Sequence, residues 1–185
     1  MELKQIVRNV LMTGTSQIKD FTVSGQFLTA IYYQALAARM ALFDSVKVEH
    51  KPTLNGKAEY ISKNNTMYLG FTSTMEETNK AIIIHEATHA VCDMLKMNLM
   101  IADSEVMAYV AQCQYIYTKS NYRIEGSTKS KDAIFAAAWS VAAMIQKGQT
   151  PSDADYLKVR QAVCSDSDYG LKSSAKVAAY DGLLI

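Results

Sequence analysis

The sequence predicts an α+β domain that is mostly helical, with a small antiparallel β-sheet packed on one central helix. Several Ala-, Leu- and Met-rich segments carry apolar residues three and four positions apart, a spacing typical of helices with a buried face. Between the first two of these segments lie three short runs rich in β-branched and aromatic residues, which predict strands. With 185 residues, 49% of them hydrophobic, the chain is long enough for one domain with a buried core.

The first half of the chain predicts one helix followed by the sheet. The helix is expected over residues 25–45, with Ser24 as its N-cap. The three strands follow as the segments VKVEH, AEYIS and TMYLGF, at residues 46–50, 58–62 and 66–71. Turn-forming residues separate them, so the last two strands are expected to form a hairpin.

The second half predicts a series of helices. A helix is expected over residues 75–97, where Ser73 or Thr74, each followed three residues later by a glutamate, can form a capping box. Asp103 or Ser104 can cap the next helix, which extends to residue 119. The later elements are an exposed loop over 120–131, an Ala-rich helix ended by Gly148, a helix begun at Pro151, and a tail from Ser165 with one more helix as an option.

Composition argues against nucleic acid and membranes as partners. Nineteen basic and eighteen acidic side chains leave a formal charge of +1, so no charge excess attracts a phosphate backbone. The N-terminal residues lack the unbroken apolar core of a secretory signal, and no apolar run approaches membrane-spanning length. The three cysteines, Cys92, Cys113 and Cys164, lie far apart in apolar helical contexts and are expected to be reduced. These features predict a cytoplasmic protein.

The segment HEATH, residues 85–89, carries the candidate chemistry. Residues four apart on a helix project from the same face, so His85 and His89 can present two imidazole nitrogens to one metal ion. Glu86 lies about 100° around the helix from His85, where it can reach a water on the metal without being a ligand. Zinc lowers the pKa of such a water, and a carboxylate can take its proton during attack on a carbonyl.

The alternative is that the two histidines and the glutamate belong to an ordinary helix. Apolar residues flank them on both sides in the sequence IIIHEATHAV, so the three side chains are expected to be largely buried. Buried ionisable groups need a partner, and a metal ion supplies one. The surroundings therefore favour the metal site.

A catalytic zinc site usually has three protein ligands, so one more donor is needed. Glu105 and His50 compete for this role. Glu105 lies near the start of the next helix, which a short linker allows to turn back against the HEATH helix. His50 lies in a predicted strand, where a half-exposed position is the simpler expectation. We expect Glu105 to be the third ligand, although an acidic residue in a first helical turn also stabilises the helix dipole.

These motifs resemble those of the gluzincin metallopeptidases, in particular their small single-domain members. The segment IIIHEATHAV fits the extended zincin motif, and SEVMAY resembles the helix that carries the third ligand, with the small residue Ala108 three positions after Glu105. The resemblance covers about residues 57–118. It implies a Zn²⁺ cofactor, a peptide or protein substrate, Glu86 as the catalytic residue, and a hairpin whose outer strand lines the substrate cleft. We expect one zincin-like domain over 1–185, with a catalytic core at about 45–118 and a helical C-terminal part at about 131–185.

The chain departs from the family pattern in two ways. Many gluzincins have an aspartate four residues after the glutamate ligand to orient a zinc histidine, whereas Tyr109 stands there in this sequence. Many also use a downstream histidine or tyrosine to stabilise the oxyanion, but no histidine follows His89. A tyrosine has to take this role, and the candidates are Tyr115, Tyr117, Tyr122 and Tyr156.

Two other functions stay open at the level of sequence. One is a zincin-fold module that retains the metal site but binds or regulates another protein with little or no catalysis. The other is an all-helical interaction protein without metal, in which the buried histidines find side-chain partners. Hydrolysis and metal content distinguish the three.

Overall fold

The computed structural model describes residues 2–119, 133–167, 169 and 176–183. The helices in these ranges are α1 (Leu3–Thr13), α2 (Ala30–Leu42), α3 (Glu77–Met94), α4 (Ile101–Tyr117), α5 (Ala133–Gln146) and α6 (Asp153–Ser165). The strands are β1 (Phe21–Val23), β2 (Gln26–Leu28), β3 (Lys47–His50), β4 (Ala58–Ile61) and β5 (Thr66–Leu69). The α+β, mostly helical prediction is confirmed. None of the described helices is both long enough and apolar enough to cross a bilayer.

The three predicted strands form one sheet, but the sheet is mixed and not fully antiparallel. Strands β4 and β5 form the expected antiparallel hairpin, with Tyr60 opposite Met67. Strand β5 also pairs with β3 in parallel, so the order is β3-β5-β4. Burial explains this order, because Met67 and Leu69 make β5 the most apolar strand and the centre of the sheet gives it a partner on both edges. Hydrophobic patterning predicts strands and leaves their order open.

The first predicted helix begins later than expected. Residues 21–28 form a second hairpin, β1–β2, and α2 begins only at Ala30. The two-residue hairpin turn whose twist matches that of its strands needs positive φ at both central residues. Ser24 and Gly25 meet this requirement, with φ of 48° and 77°. Ser24 is therefore a turn residue and not an N-cap. The hairpin buries Phe21, Val23 and Leu28.

Helices α3 and α4 form at the predicted places with different starts. Helix α3 begins at Glu77, without the predicted capping box at Ser73 or Thr74. Helix α4 begins at Ile101, before both predicted caps, and no side chain caps it. The Ile101 N–H instead donates to the carbonyl oxygen of Lys176 at 2.8 Å. A segment distant in sequence thus satisfies this helix end, which local patterns do not reveal.

The C-terminal half agrees with the predicted helices as far as it is described. Helix α5 is followed by Gly148 at φ 76°, and α6 begins with a capping box formed by Ser152 and Asp155. The optional last helix is absent from residues 176–183, which are extended and form one antiparallel bridge between Val177 and Met100. The predicted loop over 120–131 lies outside the described residues.

Helix α3 is the centre of the fold. It packs most extensively against α4, and it also contacts β4, α1 and α2. Because neighbours surround it, apolar and polar residues alike are buried along most of its length. Thr88, in the middle of HEATH, donates to the Ile84 carbonyl oxygen at 2.8 Å and is 2.7 Å from the hydroxyl of Tyr33 on α2. This contact fixes the α2–α3 interface directly behind the two histidines.

Tyr33→Phe should lower the free energy of unfolding by about 1 kcal/mol, because a buried hydrogen bond to Thr88 is lost while the ring stays packed. Urea unfolding followed by circular dichroism measures this change. The matched control is Tyr32→Phe, since the neighbouring Tyr32 hydroxyl has no hydrogen-bond partner among the described residues. Equal stabilities for the two variants would contradict the importance of the Tyr33 contact.

Candidate metal centre

Helices α3 and α4 bring three potential metal ligands together. His85 and His89 lie one turn apart on α3, with ring centroids 5.2 Å apart. Glu105 lies in the second turn of α4, and its carboxylate faces both rings. Its Oε2 is 3.3 Å from His85 Nε2, and its Oε1 is 3.5 Å from His89 Nε2. The side chains are only 9–13% exposed. The structure therefore brings together the three residues predicted as ligands.

The spacing of these atoms fits a tetrahedral metal site. The three ligand atoms all lie within 4.8 Å of one another, and the described part of the chain offers no second group of this kind. Zinc bonds of about 2.0–2.1 Å place neighbouring tetrahedral ligands about 3.3 Å apart. A direct charge-assisted hydrogen bond would be shorter, at about 2.7–2.9 Å. The observed 3.3 and 3.5 Å separations fit ligands around an ion better than a direct bond.

The electrostatics of the site also fit a cation. Glu105 Oε2 is buried and makes no hydrogen bond of normal geometry. Burial by itself would raise the pKa of Glu105, but the charges of His89 and His85 outweigh it and the pKa is lowered. Burial also opposes the charged form of His85, yet Glu105 and Glu86 together raise its pKa. The buried carboxylate thus stays ionised with the histidines as its positive partners, a role that a metal ion would take over by displacing their protons.

Both histidines are held through their other ring nitrogen. His85 Nδ1 is 3.1 Å from Oε1 of Gln112, which can only accept. His89 Nδ1 is 2.8 Å from the Ser104 hydroxyl and 3.1 Å from the Tyr180 hydroxyl, and these two hydroxyls also contact each other. Donation from Nδ1 leaves the lone pair on Nε2, the nitrogen that faces Glu105. These three residues therefore orient the two imidazole rings.

Tyr109 packs beside His85. Its ring packs edge-to-face on His85, with centroids 4.6 Å apart at 81°. Its hydroxyl is 3.0 Å from the hydroxyl of Tyr169. Tyr109 therefore restricts the plane of the His85 ring by packing and connects it to Tyr169.

Glu86 lies beside the three ligands and is not one of them. It is 8% exposed, and its Oε2 accepts a hydrogen bond from the Tyr60 N–H of β4 at 2.7 Å. This bond fixes the carboxylate on the sheet side of the site.

A cavity of about 330 Å³ opens over these residues. Residues of strand β4 and residues 178–180 line it together with His85, Glu86, His89 and Glu105. A second cavity, of about 390 Å³, adjoins it on the side of Ile82, Ile134 and Phe135, and Glu86 and Tyr169 line both. The largest of these three cavities, about 860 Å³, lies between the β1–β2 hairpin and α6 and is lined by none of the three predicted ligands.

The remaining predicted residues lie away from the site. His50 is exposed at the end of β3 and takes no part in the ligand group. Among the tyrosines considered for the oxyanion, Tyr115 donates to Glu77, Tyr117 packs on Trp139, and Tyr156 lines the largest cavity. Tyr122 lies outside the described residues.

Cys92 belongs to the buried core. It is fully buried, and its thiol is 3.6 Å from the sulfur of Met107. Burial and the nearby charge of Asp93 raise the pKa of Cys92, so the reactive thiolate is disfavoured.

Sequence reasoning missed Gln112, Ser104, Tyr169 and Tyr180. A signal existed for Gln112, because it follows Glu105 by two helical turns and so lies on the same face of α4. Ser104 was interpreted only as a cap, although it adjoins the ligand. Tyr169 and Tyr180 lie at the site because of tertiary packing, and no local sequence pattern predicts that they belong to it.

Comparison of the chain with protein-family models, with curated proteins and with solved structures found no match. The case for the site therefore rests on the residues and distances given above.

Glu105→Ala should lower zinc affinity by at least about 10-fold, since losing even a residue that only hydrogen-bonds to a metal ligand lowers metal affinity about 10- to 100-fold. His50→Ala should leave zinc affinity unchanged, because His50 is exposed and outside the ligand group. Competition with a zinc chelator measures both affinities. A larger loss in His50→Ala than in Glu105→Ala would exclude the proposed ligand set.

Gln112→Leu should lower zinc affinity about 10-fold, because the His85 ring loses the acceptor that holds its Nδ1 proton. Gln161→Leu, at an exposed position on α6, is the matched control and should bind zinc as the unmodified protein does. The same chelator competition applies. Identical affinities for the two variants would show that Gln112 does not orient His85.

Proposed function

We propose that this protein is a zinc-dependent metallopeptidase of the gluzincin type. His85, His89 and Glu105 hold the metal, and Glu86 is the general base. The observation that carries this proposal is the approach of Glu105, from a second helix, to 3.3 and 3.5 Å from the two HEATH Nε2 atoms. Glu86 beside them distinguishes a hydrolytic site from a purely structural zinc site, which has no use for a proton acceptor.

The chain's own residues supply the proton transfer. A bound zinc ion would acidify a coordinated water and polarise the scissile carbonyl. Glu86 takes a proton from the attacking water as the water oxygen bonds to the carbonyl carbon. Glu86 then gives that proton to the amine nitrogen as the C–N bond breaks. The Tyr60 N–H holds Oε2 of Glu86, so Oε1 is left to carry the proton.

The cleft supports an extended peptide as substrate. Strand β4 is an edge strand of the described sheet and forms one wall of the cavity over the ligands. An exposed strand edge can pair with another extended chain through its main-chain groups. The adjoining cavity beside Ile134 and Phe135 offers space for an apolar side chain. Peptides with an apolar residue next to the cleaved bond are the substrates to test first.

Tyr169 is our choice for the group that stabilises the oxyanion. It lines both cavities next to Glu86 and Glu105. Burial, and then the negative charge of Glu105, raise the pKa of Tyr169, so its hydroxyl keeps its proton and can donate. No tyrosine considered from sequence alone has this placement among the described residues.

The alternative function is a metal-retaining protein-binding or regulatory module with weak or no catalysis. The size of the cleft favours it, because about 330 Å³ is near the lower limit for ligand sites and residues 178–180 form one wall. Such a module would bind zinc with the same ligands and hydrolyse no peptide. The free thiols of Cys92, Cys113 and Cys164 support a reducing, cytoplasmic location for either function.

Glu86→Gln should keep zinc but lose nearly all hydrolysis, because an amide of the same size cannot accept the proton. The zinc-loaded protein is incubated with unfolded proteins and a peptide library, and cleavage products are identified by mass spectrometry. Glu49→Gln, the same change at an exposed position on β3, is the control and should keep full activity. Full activity in Glu86→Gln would exclude Glu86 as the base. Zinc binding without any cleavage by the unmodified protein would favour the binding module.

Tyr169→Phe should lower kcat about 100-fold with little change in KM, because the hydroxyl is needed mainly when the oxyanion forms. Steady-state kinetics on a cleaved peptide measure both constants. Tyr32→Phe, remote from the site, should leave both unchanged. An unaltered kcat in Tyr169→Phe would remove this residue from the mechanism.

A further inference from the structure

Residues 176–183 form an extended segment, here called the C-terminal strap, that crosses the start of α4. The Ile101 N–H donates to the Lys176 carbonyl oxygen at 2.8 Å, and the Ala178 N–H donates to the Leu99 carbonyl oxygen at 2.8 Å. The first of these bonds satisfies an N–H at the start of the helix that carries Glu105, and the second holds the strap to the residue two positions before that helix. One end of the strap is thus joined to the element that supplies the third ligand.

The other end of the strap is joined to the helix that carries the histidines. The Gly182 N–H donates to Asp93 Oδ1 at 2.9 Å, and Leu183 is 7% exposed in the core. Asp93 lies on α3 one turn beyond His89 and is fully buried. Its Oδ2 accepts a hydrogen bond from the Tyr60 hydroxyl of β4 at 2.7 Å. One buried carboxylate therefore holds both the strap and the strand on the opposite side of the cleft.

Between these two attachments, the strap brings the Tyr180 hydroxyl next to His89, one of the proposed ligands. The Tyr180 hydroxyl is 3.1 Å from His89 Nδ1 and contacts the Ser104 hydroxyl. The backbone of Ala178, Ala179 and Tyr180 forms a wall of the cavity over the ligands. If the strap leaves, His89 loses one of its two hydroxyl partners and the cavity loses a wall. Release of the strap would therefore alter both the hydrogen bonding of His89 and the shape of the cavity over the metal site.

We propose that docking of the C-terminal strap and metal binding at His85, His89 and Glu105 are thermodynamically coupled through Tyr180. The docked strap fixes the His89 ring and so raises zinc affinity. Because coupling between two binding equilibria is reciprocal, zinc binding strengthens docking of the strap. Tyr180 is a positioning residue, since it acts on the metal through His89. The inference rests on the metal site of the proposed function and not on hydrolysis.

The first measurement is zinc affinity by chelator competition. Tyr180→Phe keeps the ring but removes the hydroxyl, and it should lower affinity about 10-fold. Gly182→Ala should also lower affinity while leaving Tyr180 and every ligand intact. Gly182 has φ 97°, a backbone conformation that alanine rarely adopts, so this change loosens the strap from its far end. Val177→Ala, at an exposed strap position, is the control and should bind zinc normally.

Two further readouts separate positioning from a general loss of stability. The visible absorption bands of the cobalt-substituted protein report ligand geometry, and they should change in Tyr180→Phe but not in Val177→Ala. Amide hydrogen exchange at Ala178 and Gly182 should slow about 10-fold when zinc is added to the unmodified protein. In Tyr180→Phe this slowing should be largely lost.

The outcomes distinguish this inference from the proposed function. Wild-type zinc affinity in Tyr180→Phe, with strap exchange insensitive to zinc, would overturn the coupling and leave the metallopeptidase proposal intact. Coupling in a protein that cleaves no peptide would support the strap inference and reject the peptidase. Absence of zinc binding in the unmodified protein would overturn both.

Discussion

The fold depends on the burial of three ionisable side chains at the α3–α4 interface. His85, His89 and Glu105 are placed in a largely apolar core, where unpaired charge is costly. The two helices can pack closely there only if these groups satisfy one another or share a cation. Their 3.3 and 3.5 Å separations are suited to a shared cation. Around them, Gln112 satisfies His85 Nδ1, and the Ser104 and Tyr180 hydroxyls share His89 Nδ1. The Tyr60 N–H satisfies Oε2 of the neighbouring Glu86.

The two sides of the cleft are connected through α3. Asp93 binds the Tyr60 hydroxyl of β4 with one oxygen and the Gly182 N–H of the strap with the other. Glu86, on the same helix, binds the backbone of Tyr60. A change at either wall therefore affects the helix that carries His85, Glu86 and His89. This arrangement explains how a segment near the end of the chain can belong to a site whose main residues lie at 85–105.

The sequence predicted those features of the fold and the site that depend on local periodicity. The spacing of His85 and His89 on one helix predicted their common face, and the short linker after α3 predicted the approach of Glu105. Features that depend on long-range packing were missed. Strand β2 of the first hairpin falls within the predicted helix because apolar residues continue through both elements. Strand order and the arrival of Tyr180 at His89 are set by tertiary contacts that no local pattern encodes.

The central claim is that one zinc ion binds between α3 and α4, and a crystal structure of the zinc-loaded protein with anomalous data at the zinc edge tests it most directly. The account predicts one strong peak, bonded to His85 Nε2, His89 Nε2 and the Glu105 carboxylate at about 2.0–2.2 Å, with one coordination site left for water. A map with no zinc peak at this interface, or with zinc held by other residues, would contradict it.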